Sequence, residues 1–261
     1  MTVGFIGCGN MGGALAKAIS TNKQIKVYIS DNNEAKAKTF AEEIGAEATS
    51  NSDVASLSDF LFIGVKPSYV KSVADEIRDN VREGAVIVSM AAGVATDKLT
   101  AYFGEDKHII RIMPNTPVKV GCGMTTWCTN GNVEPSNEDK FIAIMAPTGR
   151  LDKIPEALID AACSVAGCGP AFVYMFIEAL ADGAVKCGLP REKALIYAAE
   201  TVKGAAETVI ATGEHPEALK DAVCSPGGST IEGVAALERG GFRSAAISAV
   251  EKAFEKNKKL G

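Results

Sequence analysis

Thr2-Val3-Gly4-Phe5-Ile6-Gly7-Cys8-Gly9-Asn10-Met11-Gly12 opens the chain, and its reading decides the fold of the first half. Five residues with a β-branched and aromatic bias read as a buried strand. A G-x-G-x-x-G turn and a run of helix formers from Ala14 to Ser20 follow. Between a strand and a helix this spacing is the dinucleotide fingerprint. The first glycine makes the turn, the second lets the backbone approach a pyrophosphate, and the third allows helix and strand to pack closely. A second strand is expected at Ile25 to Ser30, closed by Asp31, 19 positions past Gly12. That is close to the spacing at which an acid takes the adenosine ribose 2′-hydroxyl and disfavours a 2′-phosphate.

Outward from this unit the pattern keeps alternating. Helices are expected over Glu34 to Ile44, Ser68 to Asn80 and Thr96 to Tyr102, and strands over Phe60 to Val65, Ala85 to Met90, His108 to Met113 and Met124 to Cys128. Such alternation predicts an α/β, doubly wound parallel sheet with helices on both faces. Ligands gather at the carboxyl ends of such strands. Those ends carry Val65-Lys66-Pro67, Ala91-Ala92-Gly93 and Met113-Pro114-Asn115-Thr116-Pro117, which makes Lys66 and Asn115 candidates for cofactor contact.

From Glu156 onward strand signals disappear. Segments at Ala171 to Val185, Arg191 to Ile210, Thr230 to Glu238 and Ser244 to Lys256 read as helices, separated by Gly- and Pro-containing breaks. The chain is therefore divided into residues 1–155 and an all-α part, 156–261. The stripe Phe172, Met175, Phe176, Ala179, Leu180 and Gly183 is expected to be core or subunit interface, and a homodimer is the expected assembly. Asp221-Ala222-Val223-Cys224-Ser225-Pro226-Gly227-Gly228-Ser229-Thr230 runs into the third helix. Pro226 and two glycines force a tight turn. Ser229 and Glu232 have capping-box spacing. Such a loop is either an ordinary turn and cap, or a site where bare N–H groups and hydroxyls hold a small carboxylate at a helix start.

Composition narrows the class. The 261 residues are 47% hydrophobic and 23% charged, as in globular proteins. A net charge of −5 argues against nucleic acid or anionic membrane as partner. No window is expected to approach a membrane span, no basic leader precedes an apolar region, and a cytoplasmic location is expected. Seven cysteines without a C-x-x-C pair point to reduced thiols, mostly buried. With two histidines, neither beside a cysteine cluster, no metal site is expected.

Further motifs carry a family resemblance. Gly7-x-Gly9-Asn10-Met11, Val65-Lys66-Pro67, Ala91-Ala92-Gly93 and Arg111-x-Met113-Pro114-Asn115-Thr116-Pro117 follow one another. Then come Gly167-x-Gly169-Pro170-Ala171, Glu178 to Gly183, Gly188-Leu189-Pro190-Arg191, His215-Pro216, Leu219-Lys220-Asp221, Ser225-Pro226-Gly227-Gly228-x-Thr230 and Glu238-x-Gly240-Gly241-Phe242-Arg243. Across essentially its whole length the chain resembles the pyrroline-5-carboxylate reductases. The resemblance implies a Rossmann-type domain joined to an all-helical dimerisation domain, and reduction of 1-pyrroline-5-carboxylate to L-proline by NADPH or NADH. It implies that Ser225, Gly228, Ser229 and Thr230 hold the substrate carboxylate, with Thr230 also near the ring nitrogen as the catalytic residue. Position and resemblance together put Gly7, Cys8, Gly9, Asn10, Met11, Asp31, Asn51, Val65, Lys66, Pro67, Ala92 and Asn115 at the cofactor. Asp31 leans toward NADH; many relatives have an Arg after this strand, where Asn32 and Asn33 stand here, and family habit leans toward NADPH. Cys168 and Phe172 stand where the family usually has Ser and Tyr, which is expected to alter KM. Reduction of another cyclic imino acid, or cofactor binding without turnover, are the alternatives.

Overall fold

The structure is a computed structural model and describes residues 1–259. The chain forms two compact units, Met1–Cys168 with the residues from Ala253 onward, and Gly169–Lys252. In the first, β1 (Thr2–Ile6), α1 (Asn10–Ile19), β2 (Lys26–Ser30), α2 (Glu34–Ile44), β3 (Glu47–Ala48), α3 (Asn51–Leu57) and β4 (Phe60–Ile63) follow in turn. After them come α4 (Val70–Ile77), β5 (Val86–Ser89), α5 (Thr96–Phe103), β6 (His108–Met113), β7 (Gly123–Thr129), α6 (Pro135–Met145), β8 (Gly149–Lys153) and α7 (Ile159–Ala166).

The eight strands lie in the order β3-β2-β1-β4-β5-β6-β7-β8. Pairing is parallel from β3 to β6, so this part is the doubly wound sheet expected. β7 runs antiparallel to β6 and β8 parallel to β7, which corrects the all-parallel reading. Only the short 3-10 segment Thr116–Val120 joins β6 to β7, and a connection without a crossover helix suits antiparallel neighbours. β7 is interior, with β8 outside it. At the sheet centre β1 and β4 are buried on both faces, and Phe5 stacks on Phe62 at 4.7 Å between ring centroids. Strand order reverses between them, and this opens a crevice at their carboxyl ends.

The division read near residue 155 does not coincide with the boundary of the compact units, because α7 belongs to the sheet. Ile159 packs with Met113 and Cys128, and Arg111, buried on β6, pairs with Glu156 at 2.9 Å. Glu156 also accepts hydrogen bonds from the N–H and hydroxyl of Thr96, at 2.8 and 2.5 Å. Burial works against its charge, but the bonds from Thr96 and Arg111 outweigh it and lower its pKa.

The second unit comprises α8 (Gly169–Lys186), α9 (Arg191–Thr212), α10 (Pro216–Ala222), α11 (Ser229–Arg239) and α12 (Phe242–Asn257), the last continuing past Lys252. α8 and α9 form a hairpin around Ala181, Ala194 and Ala198, closed by Arg191 on Asp182 at 2.6 Å. These three alanines are the buried residues of the unit. Met175 and Leu180 of the expected stripe are exposed in the single chain, Met175 by 70%. The expectation that no window approaches a membrane span is corrected here. Glu156–Lys186 contains an 18-residue window of mean hydropathy 1.5 with at most two charges, long and apolar enough by length and composition alone. It is three helices rather than one, with a break at Gly167–Cys168. The thiols also depart from expectation: Cys8 and Cys128 are buried, Cys122 and Cys187 exposed, the other three half-buried, and all are free.

Candidate functional site

Three glycines of the first loop do three different jobs. Gly7 has φ +96, and a Cβ there would stand 2.8 Å from the Gly64 carbonyl, so only glycine suits this turn. A Cβ on Gly12 would run into the Gly7 carbonyl oxygen, so α1 can pack against the strand only without one. Gly9 is the opposite case, with nothing within 4 Å of the place a Cβ would take. The open space lies at the start of α1, whose N-cap is Gly9 and which has no side-chain cap. Bare N–H groups at the positive end of a helix dipole and room for close approach together suit a pyrophosphate.

The loop is held from the end of β2. Ser30 O accepts the Gly7 N–H at 2.8 Å. The next residue, Asp31, accepts the Cys8 N–H at 2.9 Å and its thiol at 3.3 Å on one oxygen, and the Asn33 N–H at 3.1 Å on the other. Lys36 stands 3.5 Å away. Burial opposes the Asp31 charge, yet these N–H groups outweigh it and its pKa is lowered. Burial, then Asp31, push the Cys8 thiol up to about 11, so it stays protonated.

A cavity of about 890 Å³ lies along the crevice, and Gly7, Gly9, Asp31, Asn51, Val65 and Lys66 line it. Lys36, Lys38 and Tyr69 line it as well. Tyr69, 59% exposed, was not singled out in the sequence, where nothing marks one tyrosine after Lys66-Pro67-Ser68 as facing a ligand. Lys66 is exposed, and its ammonium makes no hydrogen bond or ion pair among the described residues. Asn51 is tied by the Ser30 hydroxyl at 2.6 Å and donates to both Glu76 oxygens, at 3.1 and 3.0 Å. Cys8, Gly9 and Asn10 also border a second cavity of about 580 Å³ beside α1. Met11, Pro67, Ala92 and Asn115 line neither cavity. Asn115 is buried and committed at both ends of its amide, donating to Ala166 O and accepting from Met124 N–H, each at 2.9 Å. Among the described residues no group of His, Cys, Asp and Glu is arranged to hold a metal.

In the helical unit, Ser225 to Gly228 form a turn. Pro226 occupies its second position, Gly227 has φ +67 at the third, and the Gly228 N–H donates to Ser225 O at 3.0 Å, a type II arrangement. Two expectations are corrected. The Gly228 N–H is spent on the turn, so it is not free for a carboxylate. The capping box is absent: Gly228 is the N-cap, Ser229 is already the first helical residue, and no side chain caps α11. Among the described residues the N–H groups of Ser229 and Thr230 have no partner at this helix start. The Ser225 hydroxyl lies over Gly228, where a Cβ would meet it. Ser225 and Thr230 are exposed, and neither hydroxyl is bonded among the described residues. Around the loop, Glu217 on α10 pairs with Lys220 at 2.5 Å and Arg243 at 3.2 Å, and Arg243 reaches Glu238 at 2.6 Å.

A parallel sheet in this strand order, with a bare glycine-capped helix start at its crevice, defines a dinucleotide-binding oxidoreductase fold followed by a helical unit. Residues 2–93 match a family model described as NADP oxidoreductase, coenzyme F420-dependent, and residues 156–260 match one described as pyrroline-5-carboxylate reductase dimerisation. The pyrroline-5-carboxylate reductase of Escherichia coli (strain K12) is 42% identical over 262 residues, covering 99% of this chain and 97% of that protein. The solved structure of the Plasmodium falciparum pyrroline carboxylate reductase with NADP bound superposes with TM-score 0.88 at 34% identity, covering 100% of this chain and 98% of that one. The Streptococcus pyogenes 1-pyrroline-5-carboxylate reductase gives TM-score 0.90 at 32% identity, covering 99% and 98%. The chain belongs to the pyrroline-5-carboxylate reductase family. The match of residues 156–260 to the family's dimerisation model supports homo-oligomerisation.

Proposed function

We propose that this chain reduces 1-pyrroline-5-carboxylate to L-proline with NADPH or NADH. One hydride passes to the imine carbon and one proton ends on the ring nitrogen. The observation that carries the reading is the uncapped start of α11, with open N–H groups and free hydroxyls, in a chain that matches the reductases end to end. When bound, NAD(P)H supplies the hydride. The N–H groups of Asn10 to Gly12 and the open Gly9 surface suit its pyrophosphate. Lys66, Tyr69 and Val65 offer a charge and apolar area along the same crevice.

For the substrate, the Ser225 hydroxyl and the Ser229 and Thr230 N–H groups hold the carboxylate at the positive end of α11. Fixing that one charged group orients the imine, and orientation is the larger part of catalysis where no bond of the protein is made or broken. The Thr230 hydroxyl hydrogen-bonds the ring nitrogen and helps deliver the proton. An alcohol is a weak acid, so this bond contributes without being indispensable. Two copies associate through the exposed apolar residues of the helical unit, Tyr174, Met175, Leu195 and Ile196 among them, and the enzyme works in the cytoplasm.

The test is oxidation of NADH and of NADPH by purified protein in the presence of pyrroline-5-carboxylate, with proline measured as product. Proline formation with either cofactor supports the reading. Cofactor binding without proline formation overturns it and directs the assay to other cyclic imino acids.

A further inference from the structure

We propose that Asp31 is a positioning residue that braces the glycine loop for either nicotinamide dinucleotide, and does not select NADH by holding the adenosine ribose. This rests on the cofactor reading above. Two consecutive residues at the end of β2 take up two consecutive N–H groups of the loop: Ser30 O takes that of Gly7 at 2.8 Å, and Asp31 takes that of Cys8 at 2.9 Å. Cys8 stands between the strained turn at Gly7 and the open surface at Gly9, so the brace sets where the remaining N–H groups of the loop point.

Little of the carboxylate is left over. Its side chain is 10% exposed. One oxygen already faces the Cys8 N–H, the Cys8 thiol at 3.3 Å and Lys36 at 3.5 Å, more donors than its two lone pairs serve well. The other accepts the Asn33 N–H at 3.1 Å at the start of α2. A ribose hydroxyl would have to share or displace these bonds. Lys36 also offsets the charge that would otherwise repel a 2′-phosphate, and Lys38 lines the same cavity. The group that ordinarily distinguishes the two cofactors is here spent on the loop.

Asp31→Asn keeps the size but loses the charge, and its amide can accept on one side only. KM is expected to rise for NADH and NADPH alike, by about tenfold each, with kcat at saturation within about twofold of the parent and the preference ratio unchanged. Dissociation constants from calorimetry should rise in parallel. A purely structural loss would lower the active fraction and kcat while leaving KM alone, and that outcome overturns the brace. So does a selective rise in the NADH KM with NADPH improved, which is the behaviour of a ribose acceptor. If the variant does not fold, the parent protein decides the matter through competitive inhibition. Adenosine 2′,5′-bisphosphate should bind no more weakly than 5′-AMP, and a preference for 5′-AMP of about tenfold or more overturns the proposal. Failure of the parent to form proline counts against the reaction alone, because nucleotide binding is read independently of turnover.

Discussion

α1 and α11 begin in the same way and stand in different surroundings. Each has an extended glycine N-cap, Gly9 with φ −70 and ψ −166 and Gly228 with φ −79 and ψ 165, and neither has a side-chain cap. Around α1 the surroundings are backbone: the Gly7 and Gly64 carbonyls press on the loop, and Asp31 holds it. Around α11 they are exposed side chains, the hydroxyls of Ser225, Ser229 and Thr230. A bare helix start recognises an anion of any kind. On the proposed reading, what stands beside it decides whether that anion is merely held, as at α1, or meets groups that do chemistry, as at α11.

The sharpest way to break this contrast is Gly12→Ala. The new methyl meets the Gly7 carbonyl oxygen, backbone that has no rotamer to yield. Affinity for both cofactors should fall by about a hundredfold, equivalent to about 2.7 kcal/mol; unchanged KM for both would mean the loop is softer than its packing implies. Thr230→Ala at the other helix should lower kcat by about ten- to a hundredfold with the fold intact by circular dichroism. Unchanged kcat would remove this hydroxyl from the reaction. Ser225→Ala comes next, with KM for the imino acid up by about tenfold and cofactor KM unchanged, and a selective effect on the cofactor would place it wrongly. Smallest is Ser229→Ala. Lacking any cap bond to lose, it should move Tm by less than about 2 °C, whereas a drop of about 4 °C or more would show that the serine caps α11 in solution.

The parts of the molecule that were legible from sequence are those whose signal is local. β1, the glycine turn, α2 from Glu34 to Ile44 and β6 from His108 to Met113 stand where periodicity and turn residues put them. β3 went unread because it is two residues long, and β8, Gly-Arg-Leu-Asp-Lys, because an exposed outer strand carries no apolar alternation. α3, α6, α7 and α10 were missed as well; α3, with seven residues, is stabilised by what it packs on. The site shows the same limit. That a loop with these glycines approaches a ligand is written in their spacing. That Asp31 turns to Cys8, that Asn115 spends its amide on Ala166 and Met124, and that Gly228 spends its N–H on Ser225 depends on which partners the fold brings near. S-x-x-E spacing could not say whether Ser229 or Gly228 caps α11, because the turn ahead of it sets where the helix begins.

The helical unit buries only three alanines within one chain, with Ile177, Ala184, Val185 and Leu189 partly buried around them, a small core beside that of the sheet. Its cohesion is therefore a mass-action quantity. If copies associate through it as proposed, association supplies what the hairpin of α8 and α9 lacks, and the melting temperature of such a unit is expected to climb with protein concentration. Dilution acts on it as a denaturant would, while the sheet with its stacked phenylalanines carries its own core at any concentration.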